Sequence, residues 1–316
     1  MIKLQVQLLL VLMCIHTVHA QTDDSSCPAA DAACRCYDES IVCVDLSQRA
    51  VIPPFNSSST VFSMLSFQGD TRVLDVQSQA FAGLRVIILD LSELGLTVVD
   101  QDAFSGLNVS VLTKLILANN SLQVLPTTVF AGLMSLAFLD LRNNYVVQLQ
   151  SNMFSDLRTS LTALLISDNR ITTGGLQSGV LSRFDQLTRL EIEDNLLTRW
   201  PSEMLAGSTT IAELSLAGNR ITTFPKGSFD GLQQLVKLHL GRNDIAALET
   251  GTFRNLTSLR ELDLSGNRLR NLNGNMLEGL DSLMKLDLSV NQLSELSLST
   301  LSVSYTHLTL PTIYSV

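Results

Sequence analysis

The chain has 316 residues and a formal net charge of −9 at pH 7, from 21 Lys and Arg against 30 Asp and Glu. An acidic surface of this kind argues against nucleic acid or anionic lipid as the main partner. After the first twenty residues, no stretch approaches the ~18 apolar residues that a membrane-spanning helix requires.

Residues 1–20 have the pattern of a secretory signal peptide. Lys3 gives a positive start, residues 8–12 form a short apolar run, and Ala20 ends a site suited to signal peptidase. An uncleaved anchor is the alternative, which the polar segment starting at Gln21 disfavours. We therefore expect a secreted chain, or one on the extracellular face of the plasma membrane, that begins near Gln21.

Four cysteines lie close together in the segment 21–60, at Cys27, Cys34, Cys36 and Cys43. An even, clustered set in a secreted chain is typical of disulfides. Four thiolates can also bind zinc, but the spacing lacks the paired Cys-x2-Cys knuckles of zinc sites. The residues alone leave three disulfide connectivities open. We expect 21–60 to form a disulfide-stabilised cap.

A repeat of 24 to 26 residues fills the segment 61–302, with the pattern Leu-x2-Leu-x-Leu-x2-Asn-x-Leu. We number its units as coils 1 to 10, and count positions from the first residue of each coil. The coils start at Phe62, Val86, Leu112, Leu136, Leu161, Leu187, Ile211, Leu235, Leu259 and Leu283. Side chains alternate along a strand, so positions 4 and 6 point inward, whereas positions 3, 5 and 7 point outward and position 8 lies at the rim. Since one coil cannot bury its own apolar side, the coils stack and their strands form a parallel sheet.

Two further series recur in the coils. Position 9 is asparagine from coil 3 onward, and a buried amide there can serve the donors and acceptors of the turn that follows the strand. Coils 1 and 2 depart from this rule, with Asp70 and Leu94. The predicted asparagine ladder is Asn120, Asn144, Asn169, Asn195, Asn219, Asn243, Asn267 and Asn291. The predicted apolar spine on the opposite wall is Phe81, Phe104, Phe130, Phe154, Leu181, Leu205, Phe229, Phe253, Leu277 and Leu301. An insertion at 172–175 predicts a bulge or a protruding loop.

These repeats and cysteines resemble the extracellular leucine-rich-repeat proteins of animals. The resemblance implies an α/β fold, a curved right-handed solenoid with a parallel β-sheet on its concave face and irregular or short helical segments on its convex face. For the cysteine-rich cap it implies the pairs Cys27–Cys36 and Cys34–Cys43. Intracellular ribonuclease-inhibitor-type repeats are longer and alternate, and plant-type repeats carry a Gly-x-Ile-Pro turn that this chain lacks.

The residues offer little for catalysis, so we expect no enzyme activity, no cofactor and no metal. His239 is the only histidine outside the signal peptide and the C-terminal tail, and no phosphate-binding glycine-rich motif occurs. Acidic side chains gather on the outward and rim positions of coils 5 and 6, namely Asp168, Glu191, Glu193 and Asp194. A solvated surface, a patch for a basic partner and a calcium or acid–base site are the three interpretations, in falling order.

Large apolar residues occupy outward positions on coils 2 to 5, namely Ile88, Ile116, Phe138 and Leu165. A contiguous apolar group on a face that should be solvated usually marks a contact site. We hypothesise that this apolar strip anchors a ligand and that the neighbouring acidic coils set its charge specificity. N-glycosylation is expected at Asn56, Asn108, Asn119 and Asn255, each in an Asn-x-Ser/Thr sequon.

The expected function is therefore an extracellular recognition module, such as a receptor ectodomain, an adhesion protein or a secreted binding protein. Its expected ligand is a protein, a glycan or a matrix component, bound on the concave face, with no role for nucleic acid. The alternative is a non-catalytic subunit or inhibitor of a secreted enzyme. Residues 303–316 fit neither repeat nor cap and resemble a translated sequencing adapter. We therefore expect them to be non-native, and any membrane attachment to require a region missing from this sequence.

Overall fold

The computed structural model describes residues 27–29, 33–37, 39–44, 50–53, 55–68, 75–201, 203–272, 274–296 and 307–309. The predicted signal peptide, Asp70, Leu301 and most of the predicted non-native tail lie outside these residues. The strands are β1 (Cys34–Tyr37), β2 (Ser40–Val44), β3 (Phe62–Gln68), β4 (Asp75–Val76), β5 (Val86–Asp90), β6 (Val98–Val99), β7 (Lys114–Ile116), β8 (Phe138–Asp140), β9 (Ala163–Leu165), β10 (Arg189–Glu191), β11 (Glu213–Ser215), β12 (Lys237–His239), β13 (Glu261–Asp263), β14 (Asn271–Leu272), β15 (Lys285–Asp287), β16 (Glu295–Leu296) and β17 (His307–Thr309).

One sheet of 13 strands runs the length of the solenoid, in the order β1-β2-β3-β5-β7-β8-β9-β10-β11-β12-β13-β15-β17. From β2 onward every pairing is parallel, and each coil contributes positions 3 to 5 to its strand. Position 4 is a fully buried leucine in each coil, for example Leu115, Leu139 and Leu164. The leucine-rich-repeat solenoid predicted from the sequence is confirmed.

The N-terminal end of this sheet is a disulfide-bonded hairpin. Strands β1 and β2 pair antiparallel, with Cys34 opposite Cys43, and β2 continues in parallel register into the first coil. Disulfides join Cys27 to Cys36 and Cys34 to Cys43. The hairpin therefore extends the sheet and covers the apolar end that the first coil would otherwise expose.

The asparagines at position 9 connect each coil to the one before it. The Asn219 Oδ1 accepts a hydrogen bond from the Leu197 backbone N–H at 3.1 Å, and its Nδ2 donates to the Ile192 carbonyl of coil 6 at 2.8 Å and to the Leu216 carbonyl of its own coil at 3.0 Å. Equivalent intercoil bonds recur at the other seven positions, namely Asn120, Asn144, Asn169, Asn195, Asn243, Asn267 and Asn291. In coil 2, the buried Leu94 takes the place of asparagine, and Asn120 of coil 3 accepts from its backbone N–H.

The convex wall is built from turns around a spine of aromatic rings. Phe130 and Phe154 stack at 5.8 Å between centroids, Phe154 meets Phe184 at 6.4 Å, and Phe229 stacks on Phe253 at 5.8 Å. Helical structure in the described part of the chain is limited to 3-10 turns at Ser155–Leu157, Thr173–Gly175 and Gly274–Leu277. None of these helices has the length and apolar character that crossing a bilayer requires.

The insertion in coil 5 forms the 3-10 turn Thr173–Gly175. A Cβ at Gly175 would lie 2.3 Å from the Val147 carbonyl oxygen, so only glycine allows this close approach. The Thr173 hydroxyl accepts hydrogen bonds from the backbone N–H groups of Thr198 and Arg199 in coil 6. The inserted residues therefore pack against both neighbouring coils.

Candidate ligand-binding face

Two rows of outward side chains cover the concave sheet face. Positions 3 and 5 pair in register from coil to coil, so Phe138 lies beside Lys114 and Ala163, and Leu165 lies beside Asp140 and Glu191. No other strand or helix of the described residues packs over this sheet. The face is therefore a regular surface that the described part of the fold leaves open to a partner.

The predicted apolar strip is staggered between the two rows. Ile88 and Phe138 lie in the position-3 row, with Lys114 between them, whereas Ile116 lies in the position-5 row between Asp90 and Asp140. The Lys114 ammonium lies 4.5 Å from the centroid of the Phe138 ring. Charged groups thus interrupt a strip that the sequence predicted to be contiguous.

Leu165 contributes little surface to this strip. Its outward side chain is only 3% exposed, whereas Ile88, Ile116 and Phe138 are partly exposed. On the concave side of a stacked sheet, side chains from both neighbouring coils can cover a residue between them. Leu165 therefore supports the surface and presents little area to a partner.

Several outward carboxylates serve the backbone of their own coil. At position 5, Asp90, Asp140, Asp263 and Asp287 each accept a hydrogen bond from the backbone N–H two residues later. Asp140 also accepts two hydrogen bonds from the Arg142 guanidinium, at 3.0 and 2.6 Å, and this interaction raises the pKa of Arg142 above its ordinary value. The role of these aspartates is thus to close the strand and start the turn.

The residues at position 8 share a left-handed backbone. In coils 2 to 10 every one has a positive φ, from +49° at Asp194 to +68° at Gly218. Aspartate, asparagine and glycine tolerate this conformation best. Asp168 and Asp194, predicted as ligand-binding residues, thus occupy a position where backbone conformation already favours their residue type.

Asp194 is held in a bridge that spans two coils. Arg242 of coil 8 donates two hydrogen bonds to its carboxylate, at 3.0 and 2.9 Å, and passes over Gly218 of coil 7. A Cβ at Gly218 would lie 2.0 Å from the Asp194 Oδ1, so the bridge requires glycine there. The hydrogen bonds to Asp194 raise the pKa of Arg242. Asp168 is exposed on the adjacent coil.

Opposite charges alternate along the position-3 row from coil 6 to coil 10. The Arg189 guanidinium is paired with Glu191 of its own strand, the Lys237 ammonium lies 2.5 Å from Glu213, and Lys285 lies 2.5 Å from Glu261. These basic side chains therefore already have acidic partners. Exposed pairs of this kind contribute about 0–1 kcal/mol each to stability.

The Glu261–Lys285 ion pair shifts the pKa values of both side chains. The hydrogen bond from Lys285 lowers the pKa of Glu261 below its ordinary value, and the same bond raises the pKa of Lys285. A lowered carboxyl pKa contributes stability above the unfolded-state pKa that is lost as pH falls through the folded-state pKa. We expect a carbon-detected NMR titration to show Glu261 ionising below ordinary glutamates, and Lys285→Met to return it to their range. An unchanged Glu261 titration in Lys285→Met would contradict this assignment.

The four glycosylation sequons differ in their surroundings. Asn119 is exposed at position 8 of coil 3, where its Oδ1 accepts from the Asn143 Nδ2 at 2.7 Å and leaves its own Nδ2 available for a glycan. Asn56 is exposed beside the cap, Asn108 accepts a hydrogen bond from the Ser110 hydroxyl, and Asn255 donates to Asp230. Glycosylation at these four residues stays a prediction.

Some features of this surface were missed by the sequence reasoning. Ser215, Ala217 and Gly218 make coil 7 the smallest on the concave face, which a comparison of the outward positions alone could have found. A pocket of about 560 Å³ on the flank, lined by residues including Thr173 and Trp200, had no signal in the repeat pattern. Within the described residues, no group of three or more His, Cys, Asp or Glu side chains is arranged to hold a metal ion.

The comparisons with known proteins agree with this architecture. The family model described as "Leucine rich repeat" matches residues 110–171, 185–245 and 233–293, which together cover more than half of the chain. No curated protein sequence matches the chain significantly.

Solved receptor structures have a similar fold. TLR13 in its complex with ssRNA13 is 25% identical, with a TM-score of 0.68 over 79% of this chain and 36% of that chain. Toll in the Drosophila Toll–Spatzle complex is 21% identical, with a TM-score of 0.64 over 79% of this chain and 36% of that chain. The glycosylated form of that complex gives 23% identity and a TM-score of 0.66 over 79% and 33%. The chain thus spans about a third of the length of these structures.

One expectation from composition does not stand. Net negative charge argued against nucleic acid as a partner, yet the similar TLR13 chain is seen in a complex with single-stranded RNA. The net charge of a chain does not describe the charge of a local binding surface. It therefore cannot exclude nucleic acid as a ligand. With its repeat register, its asparagine ladder and the family match in agreement, the chain belongs to the leucine-rich repeat family.

Proposed function

We propose that this chain acts outside the cell as a non-catalytic recognition module that binds a protein ligand on its concave sheet face. The observation that carries the proposal is the sheet face itself, where strands β7 to β15 present charged and aromatic side chains and no described strand or helix covers them. The inward side chains of the same strands are buried in the hydrophobic core.

The similar solved structures support a binding role. TLR13 is seen with an RNA and Toll with Spatzle, so solenoids of this fold are found in complexes with ligands. The disulfide-bonded cap supports an oxidising, extracellular location. The chain spans only about a third of those receptors, so a receptor role for the whole protein is part of the proposal.

Within the concave face we propose two contributions to binding. Ile88, Ile116 and Phe138 supply partly exposed apolar contacts, and Leu165 is buried on the next coil. Asp168, Glu191, Glu193 and Asp194 lie on coils 5 and 6. Glu191 and Asp194 are paired with Arg189 and Arg242, whereas Asp168 and Glu193 have no ion pair among the described residues and favour a basic partner. A glycan at Asn119 would stand at the edge of coil 3 and crowd the apolar strip.

Site-specific crosslinking tests this proposal. The photoreactive residue p-benzoylphenylalanine is placed at Lys114 or Lys285 on the concave face, or at Met134 in a turn outside the sheet as a matched exposed control. After illumination in native extracellular fluid or on native cell surfaces, we expect the same protein adduct from both concave positions and none from Met134. Equal adducts from Met134, or none from the concave positions, would contradict binding on this face.

A further inference from the structure

Coil 7 forms a recess in the concave face. Its residues at positions 5, 7 and 8 are Ser215, Ala217 and Gly218, the smallest set on any coil. Although Ser215 and Ala217 occupy outward positions, they are only 7% and 8% exposed. The Asp194–Arg242 bridge lies over Gly218, so we call Ser215 and Ala217 the coil-7 recess.

The hydroxyl in this recess has no hydrogen-bond partner among the residues that the structure describes. Leu214 and Leu216 point into the core, so the alternation along β11 directs Ser215 toward the concave side. Its Oγ is buried, and no residue of the described chain forms a hydrogen bond with it. Buried polar groups are nearly always satisfied, so this hydroxyl points to a group supplied from outside the chain.

Two acidic side chains and a histidine lie around the recess. Glu191 of coil 6 and His239 of coil 8 flank Ser215 in the position-5 row, about 4.8 Å away strand to strand. Glu193 lies one outward position further on coil 6, within reach of a long side chain. Among the described residues its carboxylate has neither an ion pair nor a side-chain hydrogen bond.

The basic side chains near the recess are already neutralised. Arg189 is paired with Glu191, Lys237 with Glu213, and Arg242 with Asp194 at the rim of the recess. Among the described residues, Glu193 beside the recess and Asp168 one coil further have no ion pair, although Arg242 lies near enough to both to interact electrostatically. An incoming cation would meet an unpaired anion and an unsatisfied hydroxyl together.

We propose that the coil-7 recess receives a basic side chain of the protein ligand, with arginine as the best match. Its guanidinium carries several N–H donors in one plane, and can donate to the Glu193 carboxylate and the Ser215 hydroxyl at once. The proposal rests on the concave-face function above. It adds the chemistry of the ligand side chain and the coil that binds it.

The test uses labelled peptides as probes. Fluorescein-labelled hexa-arginine, hexa-lysine and hexa-citrulline are titrated onto the full chain, and binding is followed by fluorescence anisotropy. We expect hexa-arginine to bind several times more tightly than hexa-lysine, and hexa-citrulline not to bind. Glu193→Gln should weaken hexa-arginine binding about tenfold, because it removes a charge-assisted contact. Ser215→Val, which fills the recess without changing charge, should weaken it similarly.

The matched control is Glu203→Gln, which removes one negative charge from an exposed site on the flank and should change the affinity less than twofold. The Ser215 hydroxyl has no hydrogen bond to lose, so Ser215→Val should keep its unfolding midpoint. Unchanged hexa-arginine affinity in Glu193→Gln and Ser215→Val would overturn the recess assignment. If concave crosslinks still form in that case, the proposed binding on the concave face is retained and only the recess proposal fails. If they do not form, the function itself fails, whatever the peptides show.

Discussion

Replacing Asn219 with leucine should lower the free energy of unfolding by about 3–5 kcal/mol. The substitution leaves the Leu197 N–H and the Ile192 carbonyl inside the solenoid without the amide that now serves them, whereas the Leu216 carbonyl still accepts a hydrogen bond from the Asn243 Nδ2. Each buried polar group left unpaired costs about 1–3 kcal/mol. Leucine is the informative replacement because it has the same branched skeleton as asparagine and Leu94 is buried at the same position in coil 2, so the hydrogen bonding is lost with the side-chain shape kept.

The measurement is urea denaturation followed by circular dichroism, with hydrogen exchange to locate the change. We expect faster exchange in coils 6 and 7, since a repeat solenoid transmits damage chiefly to adjacent repeats. Arg220→Ala, at the exposed neighbouring residue, is the control and should change stability by less than about 0.5 kcal/mol. A loss in Asn219→Leu no larger than in Arg220→Ala would show that the ladder does not hold the coils together.

Truncating Phe154 to alanine should cost about 3–5 kcal/mol, the usual range for a fully buried phenylalanine. Phe154 is completely buried and contacts Phe130 on one side and Phe184 on the other, so its loss opens a cavity in the middle of the convex spine. Stacked rings in adjacent coils cannot close such a gap without moving the coils themselves.

Phe138→Ala is the matched comparison, because the same chemical change is made on the concave face. Phe138 is partly exposed and carries Lys114 over its ring, so we expect a loss of only about 1 kcal/mol. Both variants are compared by differential scanning calorimetry under one set of conditions. Equal losses would mean that Phe138 serves the core, and would remove it from the proposed binding surface.

Much of the fold could be predicted from the sequence because the inward positions repeat. Every coil needs apolar side chains, chiefly leucine, at positions 4 and 6 to fill the core. From coil 3 onward, asparagine at position 9 serves the buried backbone groups of the turn. Even coil 2, where Leu94 replaces asparagine, keeps the register, since Ile88 pairs with Lys114 as the alignment requires. Where each coil has the same neighbours, the position of a residue in the repeat is sufficient to predict its structural role.

The outward residues follow no such rule, and the candidate site was therefore harder to predict. Leu165 is buried at an outward position between Asp140 and Glu191, and Asp194 is ion-paired because Gly218 lets Arg242 reach across a whole coil. These facts depend on combinations of residues some 24 or 48 positions apart. The sequence pattern within one repeat therefore cannot predict the burial of Leu165 or the ion pair of Asp194.

The direction of the asparagine ladder has a consequence for how the chain is made. Each amide completes the turn of the preceding coil, so Asn243 of coil 8 satisfies the Ile221 N–H of coil 7. A coil leaving the ribosome keeps this donor open until the next coil has been synthesised. Folding during translation should therefore advance one repeat behind synthesis, with the disulfide-bonded hairpin as its first completed surface.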